Sequence, residues 1–335
     1  MPAQGRVAFG AAAGAVCLLL SLACVPNSPA QNLPPSSSPA VSEKLAAYNA
    51  PLELIRDKPY VSVMVNGHGP FRFLIDTGTG AEALISPEIA DGLALPVVGH
   101  ARLKDPSGKG EQRSEILLIR SLKVAGVEFA EIRAVRHRLY GEEENCQGVL
   151  GFTLFKDYLF TLDYPGRRIV LAPGAIAQDG GGSVLPFRMP DGVPIIALRV
   201  GGQHVEAQID SGGTGLSLPR QLARELKFLS TPVEFGSGES LATRFQIKAA
   251  RLRPDVRLGR YAFRQAFVEI NPAFPLMNVG STPLAKFVVT FDQAKMLLRL
   301  YSNQKTLHLD ASPAQLELNN APNRRASDRK LVPVG

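Results

Sequence analysis

The feature that most constrains this chain is a triplet that occurs twice in matching surroundings. "FLIDTGTGAEALIS" (73–86) carries an apolar run into Asp76 and turns at Gly78, and "AQIDSGGTGLSLP" (207–219) does the same at Asp210 and Gly212. Upstream of each aspartate, two alternating apolar segments flank a turn, Asn66-Gly67-His68-Gly69 in one and Gly201-Gly202 in the other, a hairpin pattern. Downstream, "VLGFTLFKDYLFTLDYPGRRIVL" from Val149 aligns without a gap to "NVGSTPLAKFVVTFDQAKMLLRL" from Asn278. Gly151 and Gly280 each stand twelve residues before an aspartate, Asp163 or Asp292, and both copies close on a strand ending at Leu171 or Leu300. Gly151 follows Asp76 by 75 residues and Gly280 follows Asp210 by 70. A chain with this self-similarity is expected to fold as two like units.

Each copy reads as a hairpin, a strand into Asp-[Ser/Thr]-Gly, a short helix opened by Pro87 or Pro219, further strands and a closing hairpin. The expected fold is mostly β. Lobes are placed at 46–175 and 184–303, joined by a flexible linker at 176–183 that includes Gly180-Gly181-Gly182, with a disordered tail at 304–335. At 335 residues, 45% hydrophobic and 20% charged, the chain is long enough for two cores and ordinary for a globular protein.

The net charge of +7 is spread along the chain. Its densest basic cluster, Arg136-His137-Arg138, is followed by the acids Glu142 to Glu144 and reads as a solvated loop, so nucleic acid is not an expected partner. Residues 1–30 form a separate leader: Arg6 precedes an uncharged stretch from Val7 to Cys24 that resembles a bacterial export signal. A stretch of that length also suffices to span a bilayer uncleaved. Two processing sites compete. Ser28-Pro29-Ala30 offers small residues at alternate positions, whereas Leu20-Ser21-Leu22-Ala23-Cys24 resembles a lipoprotein box in which Cys24 would be lipidated, with Ser21 where such boxes carry leucine. Residues 31–45, rich in Pro and Ser, read as a tether. The expected location is therefore exported: periplasmic, or membrane-anchored facing the periplasm. Cys146 is the one cysteine outside the leader, so no disulfide is expected within the fold.

Two strands ending at Asp76 and Asp210 can bring both carboxylates to one interface. Like charges at hydrogen-bonding distance share a proton, so one partner can take a proton from water while the other donates to a carbonyl oxygen. Thr77 and Ser211 supply hydroxyls that can tie the turns together, and Gly78 and Gly212 permit close backbone approach. The plainer reading of a lone Asp-[Ser/Thr]-Gly is a turn at a strand end. That reading suits Asp163 and Asp292, which precede hairpin turns, and His68 and His204, which lie in or near turns.

On these residues the chain resembles the aspartic peptidases, most closely the bacterial retropepsin-like enzymes, with two pepsin-like lobes in one chain over about residues 52–303. The resemblance implies two β-barrel lobes related by a pseudo-twofold axis, catalysis by Asp76 and Asp210, support from Thr77, Gly78, Ser211 and Gly212, and bracing elements at Leu150-Gly151 and Val279-Gly280 that cross beneath the catalytic loops. It also implies a flap closing over an extended peptide, with Ser107, Gly108 and Gly110 as the candidate tip and Glu234 to Glu239 as a weaker counterpart. No tyrosine lies between Tyr60 and Tyr140, where pepsins carry their flap tyrosine. The function implied is an exported aspartic endopeptidase acting on a peptide or protein substrate, without cofactor or metal, as a monomeric active unit. The alternative is a catalytically silent peptide- or ligand-binding protein of the same fold.

Overall fold

The computed structural model describes residues 21–23, 47–104, 110–139, 145–239 and 244–310. Most of the leader and the tether, Cys24, the candidate flap residues Ser107 and Gly108, and the chain beyond 310 lie outside the described residues.

The described chain is mostly β. In the first copy the strands are β1 (Lys58–Val65), β2 (His68–Asp76) and β3 (Ala83–Ile85), then helix α1 (Pro87–Gly92), β4 (Val97–Lys104), β5 (Glu111–Val124), β6 (Val127–Arg136), β7 (Gly148–Gly151), β8 (Leu159–Asp163) and β9 (Arg168–Ala172). The second copy runs β10 (Ile195–Val200), β11 (Gln203–Ile209), β12 (Leu216–Pro219), α2 (Arg220–Glu225), β13 (Val233–Glu239), β14 (Arg244–Arg251), β15 (Phe267–Asn271), β16 (Met277–Val279), β17 (Val288–Asp292) and β18 (Leu297–Tyr301).

Local sequence explains the corners. Asn66 and Gly67, at φ 50° and 79°, make the left-handed pair that a two-residue hairpin turn between β1 and β2 requires. Helix α1 starts where Ser86 Oγ accepts the Ile89 N–H and Pro87 fills the first turn. In the second copy Pro219 instead ends β12 and caps α2 without a side-chain bond, one position earlier than its counterpart.

The pairings of the two copies match. Strand β2 pairs antiparallel with β1 and parallel with β7, as β11 does with β10 and β16. Strand β3 runs antiparallel to β7 and parallel to β6, as β12 does to β16 and β15. The closing hairpins β8–β9 and β17–β18 meet through an antiparallel β8–β17 pair, in which Thr161 and Thr290 face each other with hydroxyls 2.9 Å apart. Beneath this seam Phe152, Phe155, Phe160, Phe187 and Phe291 form a buried aromatic cluster; Phe155 and Phe160 stack with centroids 4.3 Å apart. Aromatic pairs of this kind add to what area burial alone contributes.

Three expectations need correction. The tail does not begin at 304: Thr306–His308 pairs with Tyr261–Arg264, because Leu307 and Leu309 alternate in register and both are buried. Segment 176–183 is not a loose linker, since Ile176 is buried, the Arg260 N–H donates to Gly182 O at 2.9 Å and the Leu300 N–H to Ser183 O at 2.8 Å. Residues 234–239 belong to β13 and are paired with β14 throughout, apart from a bulge between Glu234 and Gly236, so they are not a hairpin tip. The one described part of the leader, Ser21–Ala23, is a strand running antiparallel to the edge of β4.

Candidate active site

Asp76 ends β2 and Asp210 immediately follows β11, the second strand of the opening hairpin in each copy. Parallel partners carry them there from behind: Gly151 of β7 is in register with Asp76, and the Asp210 N–H donates to Val279 O of β16 at 3.0 Å. These strands carry Leu150-Gly151 and end just before Gly280 at Val279, the positions named as bracing elements from the sequence. The Gly151 N–H donates to Glu82 O and the Gly280 N–H to Gly215 O, while Phe152 N–H reaches Thr79 O and Ser281 N–H reaches Gly213 O. Each aspartate turn is thus pinned from below by its own copy.

Across the interface the turns are pinned to each other. The Thr77 N–H donates to Ser211 Oγ and the Ser211 N–H to Thr77 Oγ1, both at 3.0 Å. The two hydroxyls donate onward, Thr77 Oγ1 to Ile209 O and Ser211 Oγ to Ile75 O, each at 2.7 Å. Both side chains are fully buried, so every bond in this reciprocal set replaces water that cannot enter.

The glycines set how close the aspartates come. A Cβ on Gly78 would lie 2.6 Å from Asp210 Oδ1, and one on Gly212 would lie 2.6 Å from either oxygen of Asp76. Each carboxylate therefore rests on the bare backbone of the opposite turn. Asp76 and Asp210 are packed at this interface and are 1% and 0% exposed. Burial, and next the charge of Asp210 beside it, push the Asp76 carboxyl well above the ordinary carboxylate range.

The donor sets differ. Asp76 accepts from the Gly78 N–H at 2.7 Å and from the Thr79 hydroxyl at 2.9 Å. Asp210 accepts from the Gly212 and Gly213 N–H groups at 3.0 and 2.8 Å, and from Asn278 Nδ2 at 2.6 Å. Thr79 and Asn278 are the site residues that reading the sequence missed. Their signal was a pair of mismatches between the copies: Thr79 aligns with Gly213, and Asn278 interrupts an apolar element where the first copy has Val149.

Strands β4 and β5 pair antiparallel as far as Lys104 with Glu111, and of the candidate flap residues Gly110 alone is among the described residues. Asp163 and Asp292 end β8 and β17, at the turns of the closing hairpins. Asp163 accepts from the Gly166 N–H and Arg168 Nε, each at 2.8 Å, and Asp292 from the Lys295 and Ile176 N–H groups at 3.0 and 2.9 Å.

No curated protein matches the chain. A family model described as aspartyl protease matches residues 61–154, a stretch that holds Asp76-Thr77-Gly78 and Leu150-Gly151. Over that stretch, the chain is similar to the aspartyl proteases.

Proposed function

We propose that this chain is an aspartic endopeptidase that hydrolyses peptide bonds with water activated between Asp76 and Asp210. The observation that carries the reading is the buried carboxyl pair, each member resting on the opposite turn, with the two turns locked through Thr77 and Ser211. The aspartyl protease match over the first copy supports it, and the recurring strand pairings support two pseudo-twofold-related lobes.

The chemistry follows from one proton shared by two carboxyl groups. The ionised aspartate removes a proton from water as its oxygen bonds to the peptide carbonyl carbon, and the protonated aspartate gives its proton to the carbonyl oxygen. A tetrahedral diol results. Its collapse breaks the C–N bond as a proton passes to the leaving nitrogen, yielding a carboxylic acid and an amine. Thr77, Ser211, Gly78 and Gly212 hold the geometry, and the elements at Leu150-Gly151 and Val279-Gly280 brace it.

The substrate in this reading is an extended peptide. The edge of β4 pairs antiparallel with Ser21–Ala23, which supports its capacity to take an added strand. Export through the leader, a tether or lipid at Cys24, and a monomeric active unit belong to the same proposal.

The near-complete burial of both carboxylates favours a second reading, a lobe pair that binds a ligand without cutting it. One experiment separates the two: incubation of the chain, and of a version starting at residue 46, with a diverse peptide library from acid to neutral pH, beside the Asp76→Ala protein. Cleavage lost in Asp76→Ala establishes the peptidase. Folded protein that binds peptides and cuts none establishes the alternative.

A further inference from the structure

The two aspartate turns use equivalent parts except at one place. Oδ2 of Asp76 meets the hydroxyl of Thr79, but the matching residue of the second turn, Gly213, has no side chain to offer. Oδ2 of Asp210 is met instead by Nδ2 of Asn278, 2.6 Å away on β16, where β7 carries Val149. The two solutions exclude each other: a Cβ on Gly213 would lie 2.9 Å from Asn278 Nδ2 and 2.7 Å from Asp210 Oδ2. Thr79 with Val149, and Gly213 with Asn278, are alternative ways to fill one space.

They differ in chemistry. A hydroxyl donates to a carboxylate or accepts from a carboxylic acid in place, so Thr79 suits either state of Asp76, whereas the Asn278 amide is turned with its NH2, a donor only, toward Asp210. Three N–H donors converge on Asp210, against one N–H and one hydroxyl on Asp76. Fixed donors of this kind favour the charged form of an acid. Packing does not explain the amide, because Asn278 Oδ1 is buried with no hydrogen-bond partner among the described residues, a cost that a valine there would avoid.

We propose that Asn278 is a positioning residue that holds Asp210 as the ionised member of the pair and leaves the shared proton on Asp76. Asp210 is then the general base toward water, and Asp76 the general acid toward the carbonyl oxygen. This division of roles rests on the peptidase reading; the charge assignment does not. The upward shift of Asp76 agrees with it. Among the described residues the other titratable group that feels both aspartates is Tyr164, whose hydroxyl burial keeps neutral, so it adds no charge to the balance.

The test uses the full chain labelled with carbon-13 at the aspartate carboxyl carbon, with the two resonances assigned through Asp76→Asn and Asp210→Asn. Where the pair holds one proton, Asp210 is expected to resonate as a carboxylate and Asp76 as an acid. Asn278→Val should shift the shared proton toward Asp210, read as a smaller difference between the two carboxyl resonances at the same pH. Turnover of Asn278→Val should fall about tenfold in kcat at unchanged KM, with the acid limb of the pH profile moving together with the carboxyl resonances. If Asn278→Val fails to fold, the isosteric Asn278→Asp replaces it, with the same change expected. The proposal is overturned if Asp210 carries the proton in the unaltered chain, or if the two resonances are unmoved in the folded variant. A chain that cuts no peptide yet shows the expected resonances refutes the peptidase reading and leaves the charge assignment standing.

Discussion

Four aspartates terminate strands in repeat-related positions, and they divide into two pairs that share a turn but not a fate. Asp76, Asp163 and Asp292 each accept a backbone N–H two or three residues on, from Gly78, Gly166 and Lys295, and Asp210 accepts two such groups. The second oxygen is met in every case, by Thr79 for Asp76 and Asn278 for Asp210, and in the lower pair by Arg168 for Asp163 and the Ile176 N–H for Asp292, so the neighbour decides the outcome. Asp76 and Asp210 are buried against one another, and the strongly raised proton affinity belongs to that pair. The strand-end aspartate turn is a common structural device. In the peptidase reading, reactivity comes from burying two of them face to face.

The sharpest way to break this comparison is to neutralise one member of each pair. Asp76→Asn or Asp210→Asn should lower kcat by on the order of a thousandfold or more, because general acid or general base assistance is lost, while the melting temperature does not fall. Steady-state kinetics beside a thermal melt checks this; appreciable turnover in either variant would sink the dyad assignment. The next largest effect concerns the lock between the turns. Thr77→Val removes a donor to Ile209 O and an acceptor for the Ser211 N–H in a fully buried setting, and should cost about 3 kcal/mol by denaturant unfolding. The part-buried hydroxyl pair Thr161–Thr290 spans the other seam, and Thr161→Val there should cost about 1 kcal/mol. Equal losses would show that burial does not distinguish the two seams.

Much of this site was legible before any coordinates, for a physical reason. Two strand-end aspartates locked turn to turn demand a carboxylate, a hydroxyl and a glycine in fixed order, and such local demands leave a mark even in a single sequence. The doubling of Asp76-Thr77-Gly78 in Asp210-Ser211-Gly212, and of Gly151 in Gly280, supplied the fold class as well. Residues chosen by tertiary contact left weaker marks. Asn278 looked like an irregular member of an apolar element, and its meaning appeared only with Gly213 and Asp210 around it. The four residues Thr306 to Leu309 are too few for their alternation to stand out, yet Leu307 and Leu309 are buried beside the strand Tyr261–Arg264. The glycines of 180–182 suggested looseness, while the Gly182 carbonyl is held by the Arg260 N–H.

Stability against pH separates the two pairs again. The folded chain holds a proton on Asp76 above the pH at which the unfolded chain releases it, so the folded state binds more protons from about pH 4 up to the raised value. Over that window, rising pH must lower stability, with a slope of at most about 1.4 kcal/mol per pH unit from this group. Below the window both states are protonated and the contribution is fully present. Asp76→Asn should remove the slope and make the protein more stable than the unaltered chain near neutral pH, whereas Asp163→Asn should leave the slope in place. Denaturant midpoints measured from pH 4 to 8 give the answer, and an unchanged slope in Asp76→Asn would mean that the buried pair is not strained by its shared charge.

The smallest effects test whether the lower pair is structural only. Asp292→Ala strips acceptors from the Ile176 and Lys295 N–H groups and should destabilise by about 1 to 2 kcal/mol, chiefly through Ile176, which is buried. Asp163→Asn keeps an oxygen for the Gly166 N–H and loses only the charge facing Arg168, whose side chain is 58% exposed; the expected change is about 0.5 kcal/mol or less. Neither variant should alter kcat, since neither side chain reaches the pair. A folded Asp163→Asn protein with impaired turnover but normal stability would show that the lower aspartates are coupled to the chemistry through β8 and β17, and the contrast between the two pairs would then be one of degree.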